Sequence, residues 1–389
     1  MTLNAQQVIT RIREISADAV RHQQRLDDLY RHARDLLEEW ADRNEDLREK
    51  VESARQQDQA MRCALPVSDR LDAHFAAGRD ITGLTLIAAD GSHIAPDRHA
   101  SMLYCLVNVG AVVMQAGSGR APVVCSDSRL LFGDEIFKET GLLSAEAVEQ
   151  QRDIAERSKL LELAKDVEGS CVALTDGPVE LWGSRNDGAG EYRRNVEIHA
   201  SILSQLHARG VIAAGYVDKP GADLVVRSLE LTGLPVGHLN KRNQSRTLRG
   251  VNDRRLFEGI LKRGERSAVF EMQSASRLYY AGDLMLHFCY LNVGSSTQPS
   301  VVRLEFPRWV AESKQNLELL QAALVEQCRI MGGRPYPYIL HRAHEAAAIG
   351  YEERRQVEAL LEIELRRAGS RVEEISNKQS LKNLPGRKR

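Results

Sequence analysis

The chain has 389 residues, 43% of them hydrophobic and 28% charged, with a formal net charge of −1. That is enough for one large domain, or two ordinary ones, with a sizeable core. The near-zero charge excludes a global basic field, so any nucleic-acid contact must come from local patches. The six cysteines are far apart and form no C-x-x-C pair, which argues against a zinc site. Several of them sit in apolar, strand-like runs and read as small core residues. The N-terminus, MTLNAQQVITRIREI, has no apolar signal core, and no run approaches a membrane span. A cytoplasmic protein without membrane contact is expected.

Residues 3 to about 62 are highly charged and almost free of Gly and Pro. Leu26, Leu29, Tyr30, Ala33, Leu36, Leu37 and Trp40 recur at helical spacing, and Leu47 and Val51 extend the stripe. One or two long amphipathic helices are predicted, to pack on the main domain, pair with a second copy or dock a partner.

Gly83 to Ser92 reads GLTLIAADGS, an apolar run bounded by glycines, and predicts a short buried strand ending on Asp90. A carboxylate there would sit where the sheet opens. Gly91, lacking a side chain, would let a phosphate or metal approach the backbone. The other reading is an ordinary Asp-Gly turn. Leu103 to Met114 and Pro122 to Ser126 are further strands, giving a three-stranded meander that begins at Asp90.

Ser144 to Val167 is helical, with Ser144 a candidate cap. At about 100° per residue, Leu160, Leu163, Ala164 and Val167 share a face that includes Glu156, whereas Glu162 falls opposite. A carboxylate on the inward face must be paired, protonated or bound to metal. Glu156 is therefore the candidate, and Glu162 a solvated helix charge. Cys171 to Asp176 repeats the opening theme, a strand running into Asp176-Gly177-Pro178. Three acidic residues converging at strand ends suit a hard divalent cation.

Glu191 to Arg209 predicts another helix and Val211 to Val217 a strand. Lys241, Arg242, Arg246 and Arg249 form a basic cluster, either a solvated loop or a phosphate-contacting rim. Strands are predicted at Ser267 to Met272, Met285 to Val293 and Val301 to Phe306, with Arg303 and Glu305 on one face. Val310 to Met331 reads as a helix. Tyr336-Pro-Tyr leads into a helix running to about Arg367. On it Ala346, Val357, Leu360 and Leu361 face one way, and His344 the other with Tyr351 and Arg355. His344 is then either plainly exposed or turned into a cleft. The polar, basic-ended residues 369–389 read as a disordered tail.

Asp90-Gly-Ser, Glu156, Asp176-Gly and the Tyr336…His344 segment, in that order, resemble the NurA family of DNA end-processing nucleases. The resemblance runs from about Gly83 to Arg367. It is strongest at the two Asp-Gly pairs and in YPYILHRAHEAAAIGYEERR, with support from GVNDRRLFEGILKRGERSAVF and VVRLEFPRWV. Pro178 departs from it, since a small polar residue is more usual there. The resemblance implies an α/β fold similar to RNase H, a mixed sheet flanked by helices, here with an N-terminal long-helix extension. The implied layout is a helical region over 1–62, a nuclease domain over 63–368 and the tail. Asp90, Glu156 and Asp176 would be metal-binding carboxylates, with Tyr336 and His344, eight residues apart, completing the site. His344 would ligate a metal, orient water or serve the leaving group; Tyr336 would contact a phosphate oxygen or stack on a base.

The same resemblance implies a Mn²⁺-dependent nuclease, with Mg²⁺ as a substitute and two metals in the site. It would act as a single-strand endonuclease and a 5′-to-3′ exonuclease in double-strand break repair. A homodimer working with a HerA-type hexameric ATPase is expected. The chain has no G-x-x-x-x-G-K-[ST] loop and should not hydrolyse ATP itself. Two alternatives stand beside this: a catalytically weak scaffold for the ATPase, and a different metal-dependent phosphoesterase. Salt-dependent binding to DNA ends favours the nuclease; hydrolysis of small esters without DNA affinity favours the phosphoesterase.

Overall fold

The structure is a computed structural model and describes residues 3–100, 102–138, 141–183, 189–235, 246–295 and 297–369. The tail from 370 onward lies outside the described residues, as do Lys241 and Arg242. The chain begins with α1 (Ala5–Glu39), α2 (Asn44–Gln57), β1 (Cys63–Pro66) and β2 (His74–Phe75). Next come β3 (Thr85–Ile94), β4 (Tyr104–Gln115), β5 (Val123–Phe132) and the small hairpin β6 (Phe137–Lys138) and β7 (Gly141–Leu142). Then follow α3 (Ala145–Ala164), β8 (Cys171–Asp176), α4 (Ala189–Ala208) and β9 (Ile212–Val217). After these are α5 (Leu224–Glu230), α6 (Asp253–Glu258), β10 (Arg266–Ser267), β11 (Phe270–Gln273), β12 (Leu286–Asn292) and β13 (Val301–Pro307). The last elements are α7 (Arg308–Ala311), α8 (Lys314–Ile330), α9 (Tyr338–Ala347) and α10 (Tyr351–Arg367).

Two compact units form: Met1–Arg79 with Tyr216–Glu326, and Asp80–Gly215 with Gln327 onward. This division runs across the boundary near residue 62 expected from the sequence. In the first unit β1, β11, β12 and β13 pair antiparallel in that order, and β10 joins β12 to β2. Its core is aromatic, with Phe257 stacked on Tyr290 at 4.7 Å and Phe270 on Phe288 at 5.6 Å. The second half of α1 and the inner face of α2 bury Ala33, Leu37, Leu47, Val51 and Ala54. The apolar stripe read from Leu26 to Val51 is thus a packing face within this unit. The first half of α1 leaves Val8, Ile9, Ile12, Ile15 and Val20 exposed.

The second unit carries the expected mixed sheet flanked by helices. Strands β3, β4 and β5 form the antiparallel meander, and β8 lies on the other side of β3, parallel to it, with β9 beyond. Helix α3 makes the crossover from the meander to β8, its first turn capped by Ser144 Oγ, which accepts from the Ala147 N–H at 3.1 Å. Side chains alternate along a strand, so Gly91 and Gly110 show which helix covers each face. A Cβ built on Gly91 would meet Arg152 and Glu156 of α3. One built on Gly110, the register partner of Asp90, would meet the backbone of α9 at Ala346 and Ala347. The sheet is therefore sandwiched between α3 and α9. Among the described residues, no helix is long and apolar enough to cross a membrane.

Four expectations are corrected. Strand β3 does not stop at Asp90: it runs to Ile94, held by β4 down to the pair Ile94↔Leu106. What ends near Asp90 is the parallel ladder, whose last pair is Ala89↔Thr175. The helix expected after Tyr336-Pro-Tyr, running to about Arg367, is two helices. Ala348 leaves the α conformation and Gly350 caps α10, so a wheel drawn through both misplaces residues beyond the break. Val357 and Leu361, with Ile349, pack against Ile94, Tyr104 and Leu106, while Leu360 is exposed. The Ser267–Met272 strand is the separate β10 and β11, and the helix expected from Val310 is the short α7 followed by α8.

Candidate active site

The site is built from the end of the parallel ladder between β3 and β8. In that register Asp90 and Asp176 are the next pair after Ala89↔Thr175. The two carboxylates therefore follow the last paired residues of adjacent strands. Asp176 is the exposed last residue of β8. Gly177 follows with φ +101°, which favours glycine and makes this second Asp-Gly pair a true turn. Pro178, the departure from the family pattern, presents its carbonyl to Arg157 of α3, whose Nη2 donates at 3.0 Å. The same guanidinium donates through Nη1 to the Asp153 carbonyl at 2.9 Å, so one arginine ties the turn after Asp176 to the helix of Glu156.

Asp90 is half-buried and meets two groups. Its Oδ1 accepts from the Gly91 N–H at 2.9 Å, and its Oδ2 lies 2.7 Å from His344 Nδ1. With Asp90 ionised, Nδ1–H donates and Nε2 is left as the proton-exchanging nitrogen. The His344 side chain is 65% exposed and helps line an open hollow with Val124, Arg342, Glu345, Ala346 and Ala348. His344 is thus largely exposed on that hollow, with its Nδ1 turned to Asp90.

The placement of His344 follows from how α9 docks. The Ala347 carbonyl at the end of α9 accepts from Ser92 Oγ at 2.5 Å and Asn108 Nδ2 at 2.8 Å. Ser128 Oγ donates to Asn108 Oδ1 at 2.7 Å. Asp90, Ser92, Asn108, Gly110 and Ser128 share one face by strand parity and register. A Cβ at Gly110 would sit 2.3 Å from the Ala347 nitrogen, so helix and sheet touch there without an intervening side chain. Tyr336, half-buried, lies two residues before α9 starts, and its N–H donates to the Arg334 carbonyl at 2.8 Å.

Glu156 is only 4% exposed, whereas Glu162 is an exposed partner of Lys159, so the helical-face reading of the two holds as geometry. Burial pushes the Glu156 carboxyl up to about 8; Arg157 and Arg152 pull it down, and Asp153 and Asp90 add to the rise. Arg152 Nε is 3.2 Å from Glu156 Oε1, and Arg152 Nη2 is 2.8 Å from Asp153 Oδ1. A Cβ at Gly91 would fall 2.7 Å from Glu156 Oε1 and 2.5 Å from Arg152 Cγ. Gly91 thus donates to Asp90 through its N–H and makes room for Glu156 through its bare Cα. The first Asp-Gly pair is a close approach, not a turn.

The donors suit a hard divalent cation in kind: carboxylate oxygens, one of them deeply desolvated, and an imidazole. The space over Gly91 that a Cβ would fill holds Glu156 and Arg152, on the α3 face of the sheet, whereas Asp90 and His344 meet on the α9 face. Among the described residues, no three His, Cys, Asp or Glu side chains are gathered closely enough to hold a metal. Asp90 is engaged by His344 and Glu156 by Arg152 instead. Of the basic cluster, Arg246 Nε pairs with Glu230 at 2.8 Å and its Nη2 with Asp223, in the other unit. Arg249 is exposed. Reasoning from sequence missed Arg152, Arg157, Asn108 and Gly110. An arginine beside a buried glutamate carries no motif, and Gly110 lies inside an unbroken apolar strand.

In comparisons with known proteins, no curated protein sequence matches the chain. Among solved structures, it is similar to the NurA nuclease from Sulfolobus solfataricus, with a TM-score of 0.48 and 12% identity, covering 82% of this chain and 92% of that one. It is also similar to the catalytic domain of human endonuclease V, with a TM-score of 0.34 and 16% identity, covering 80% and 96%. Endonuclease V of Ciona intestinalis, in complex with a 24mer DNA, gives a TM-score of 0.31 and 10% identity, covering 71% and 87%. The sequence itself matches the NurA domain over residues 84–349. That span takes in Asp90, Glu156, Asp176, Tyr336 and His344 and covers more than half of the 389 residues, and by it the chain belongs to the NurA family.

Proposed function

We propose that this chain is a metal-dependent DNA nuclease. It acts in the cytoplasm on single strands and, 5′ to 3′, on duplex ends, as a homodimer partnered by a HerA-type hexameric ATPase in double-strand break repair. One observation carries the reading: Asp90, at the end of the β3/β8 ladder, holds His344 at 2.7 Å beside the buried Glu156 and the adjacent strand end of Asp176. Asp90, Glu156 and Asp176 would hold Mn²⁺ or Mg²⁺. Bound there, one or two such ions supply a Lewis acid for the phosphate and an acidified water.

The chain's own residues do the rest. Asp90 fixes the His344 tautomer and orients the ring, leaving Nε2 to exchange a proton with water or the leaving oxygen. Arg157 holds the Asp176 turn against α3. Tyr336 contributes a phenol near the start of α9, suited to a phosphate oxygen or a base face.

The test is cleavage of end-labelled single- and double-stranded DNA with Mn²⁺, Mg²⁺ or chelator, with and without the ATPase. Metal-dependent degradation, reduced at least about a thousandfold in Asp90→Asn with the fold intact, is expected. Full cleavage by Asp90→Asn overturns the assignment of Asp90. No cleavage under any metal, with the ATPase present, leaves the scaffold reading in its place.

A further inference from the structure

Helix α3 presents three carboxylates around one guanidinium. Arg152 Nη2 lies 2.8 Å from Asp153 Oδ1 and 3.7 Å from Glu149 Oε1, and Arg152 Nε lies 3.2 Å from Glu156 Oε1. The last contact is close but off the hydrogen-bond axis, and Nε has no hydrogen-bond partner among the described residues. Charge proximity, not a made hydrogen bond, relates Arg152 to Glu156. The stem of Arg152 crosses over Gly91, its Cγ 2.5 Å and its Cδ 3.0 Å from where a Cβ would lie. Arg152 therefore fills the space over Gly91 into which Glu156 turns, on the α3 face of the sheet.

We infer that Arg152 is a built-in counter-cation standing at Glu156 in place of a metal charge, and that it sets the affinity of the site for a divalent ion. The inference rests on the metal-dependent reading above. Glu156 is almost fully buried, and Arg152 Nε stands 3.2 Å from its Oε1, where a bound cation would also have to stand. Arg152 opposes a second cation there by like-charge repulsion at short range. Arg157 also acts on Glu156, from 3.9 Å at Oε2, but its Nη1 and Nη2 are held by hydrogen bonds to backbone carbonyls, so Arg152 is the guanidinium that an incoming ion can move. Arg152 is thus a positioning residue that the incoming ion must displace or share.

The experiment measures Mn²⁺ binding to the full-length protein without DNA, by calorimetry and by the electron paramagnetic resonance signal of free Mn²⁺. Wild type, Arg152→Gln, Arg152→Lys and Asp90→Asn are compared. Arg152→Gln is expected to bind about tenfold more tightly than wild type, because a like charge near the ion is gone. Arg152→Lys should fall between the two, since an ammonium keeps the charge but not the planar fork. In thermal melts, Arg152→Gln should be less stable than wild type in chelator and gain more from added Mn²⁺. Should Arg152→Gln not fold, Arg152→Lys decides the matter by the same comparison. Unchanged or weaker Mn²⁺ binding by the folded variant overturns the inference, and the metal reading stands if Asp90→Asn has lost binding. Equal binding by wild type and Asp90→Asn, or none by either, overturns the metal reading and this inference with it.

Discussion

Gly91 and Gly177 follow Asp90 and Asp176 in matching sequence pairs but serve different ends. Gly177 takes a positive φ and turns the chain. Gly91 lies in a continuing strand and is bare so that Glu156 and Arg152 can approach. Gly91→Ala is expected to keep the strand and displace both side chains, which are flexible at the contact. The cost to stability should be about 1–2 kcal/mol in denaturant unfolding, with cleavage reduced about tenfold or more. Unchanged cleavage would place Glu156 outside the chemistry. Glu156 itself was legible in the sequence because helical periodicity alone separates inward from outward positions. Arg152 was not, since its importance comes from standing above a glycine on another element.

The docking of α9 on β3 and β4 decides whether His344 reaches Asp90. That docking depends on a carbonyl at the end of the helix, two polar donors and the absence of a side chain at Gly110. Gly110→Ala would put a methyl 2.3 Å from backbone, which cannot yield as a side-chain tip can. A loss of about 3 kcal/mol in stability is expected, and cleavage no better than that of His344→Ala. Retention of wild-type activity would show that the Asp90–His344 contact is dispensable. The sequence carries α9 as an amphipathic run after Pro337 but hides its end. No proline and no strong breaker stands at Ala348, and the chain turns there because Ile349 is drawn into the cluster of Ile94, Tyr104 and Leu106.

At the scale of the whole molecule, a net charge of −1 offers no long-range attraction to DNA, and Arg246 is already neutralised by Glu230 and Asp223. With Arg246 held by these carboxylates, binding to DNA ends should show a log–log salt slope shallower than about −4. A steeper slope, measured by fluorescence anisotropy across salt, would point to a wider basic surface than the described residues present. The partition into units is not sequence-ordered either. Each draws on two stretches of chain, so a boundary read from a change in composition near residue 62 does not meet the division into compact units.

The sequence alone determined the strands of the meander, the parallel strand ending in Asp176, the inward face of Glu156 and the family pattern. Each of these rests on local periodicity or on short motifs, which neighbouring residues carry within a single element. Only the tertiary structure decided that Asp90 lies inside its strand, that it meets His344 254 residues away, and that Arg152 occupies the space over Gly91. These are facts of register and of close approach between elements. They depend on which bare Cα lies under which helix, and a linear pattern does not record that.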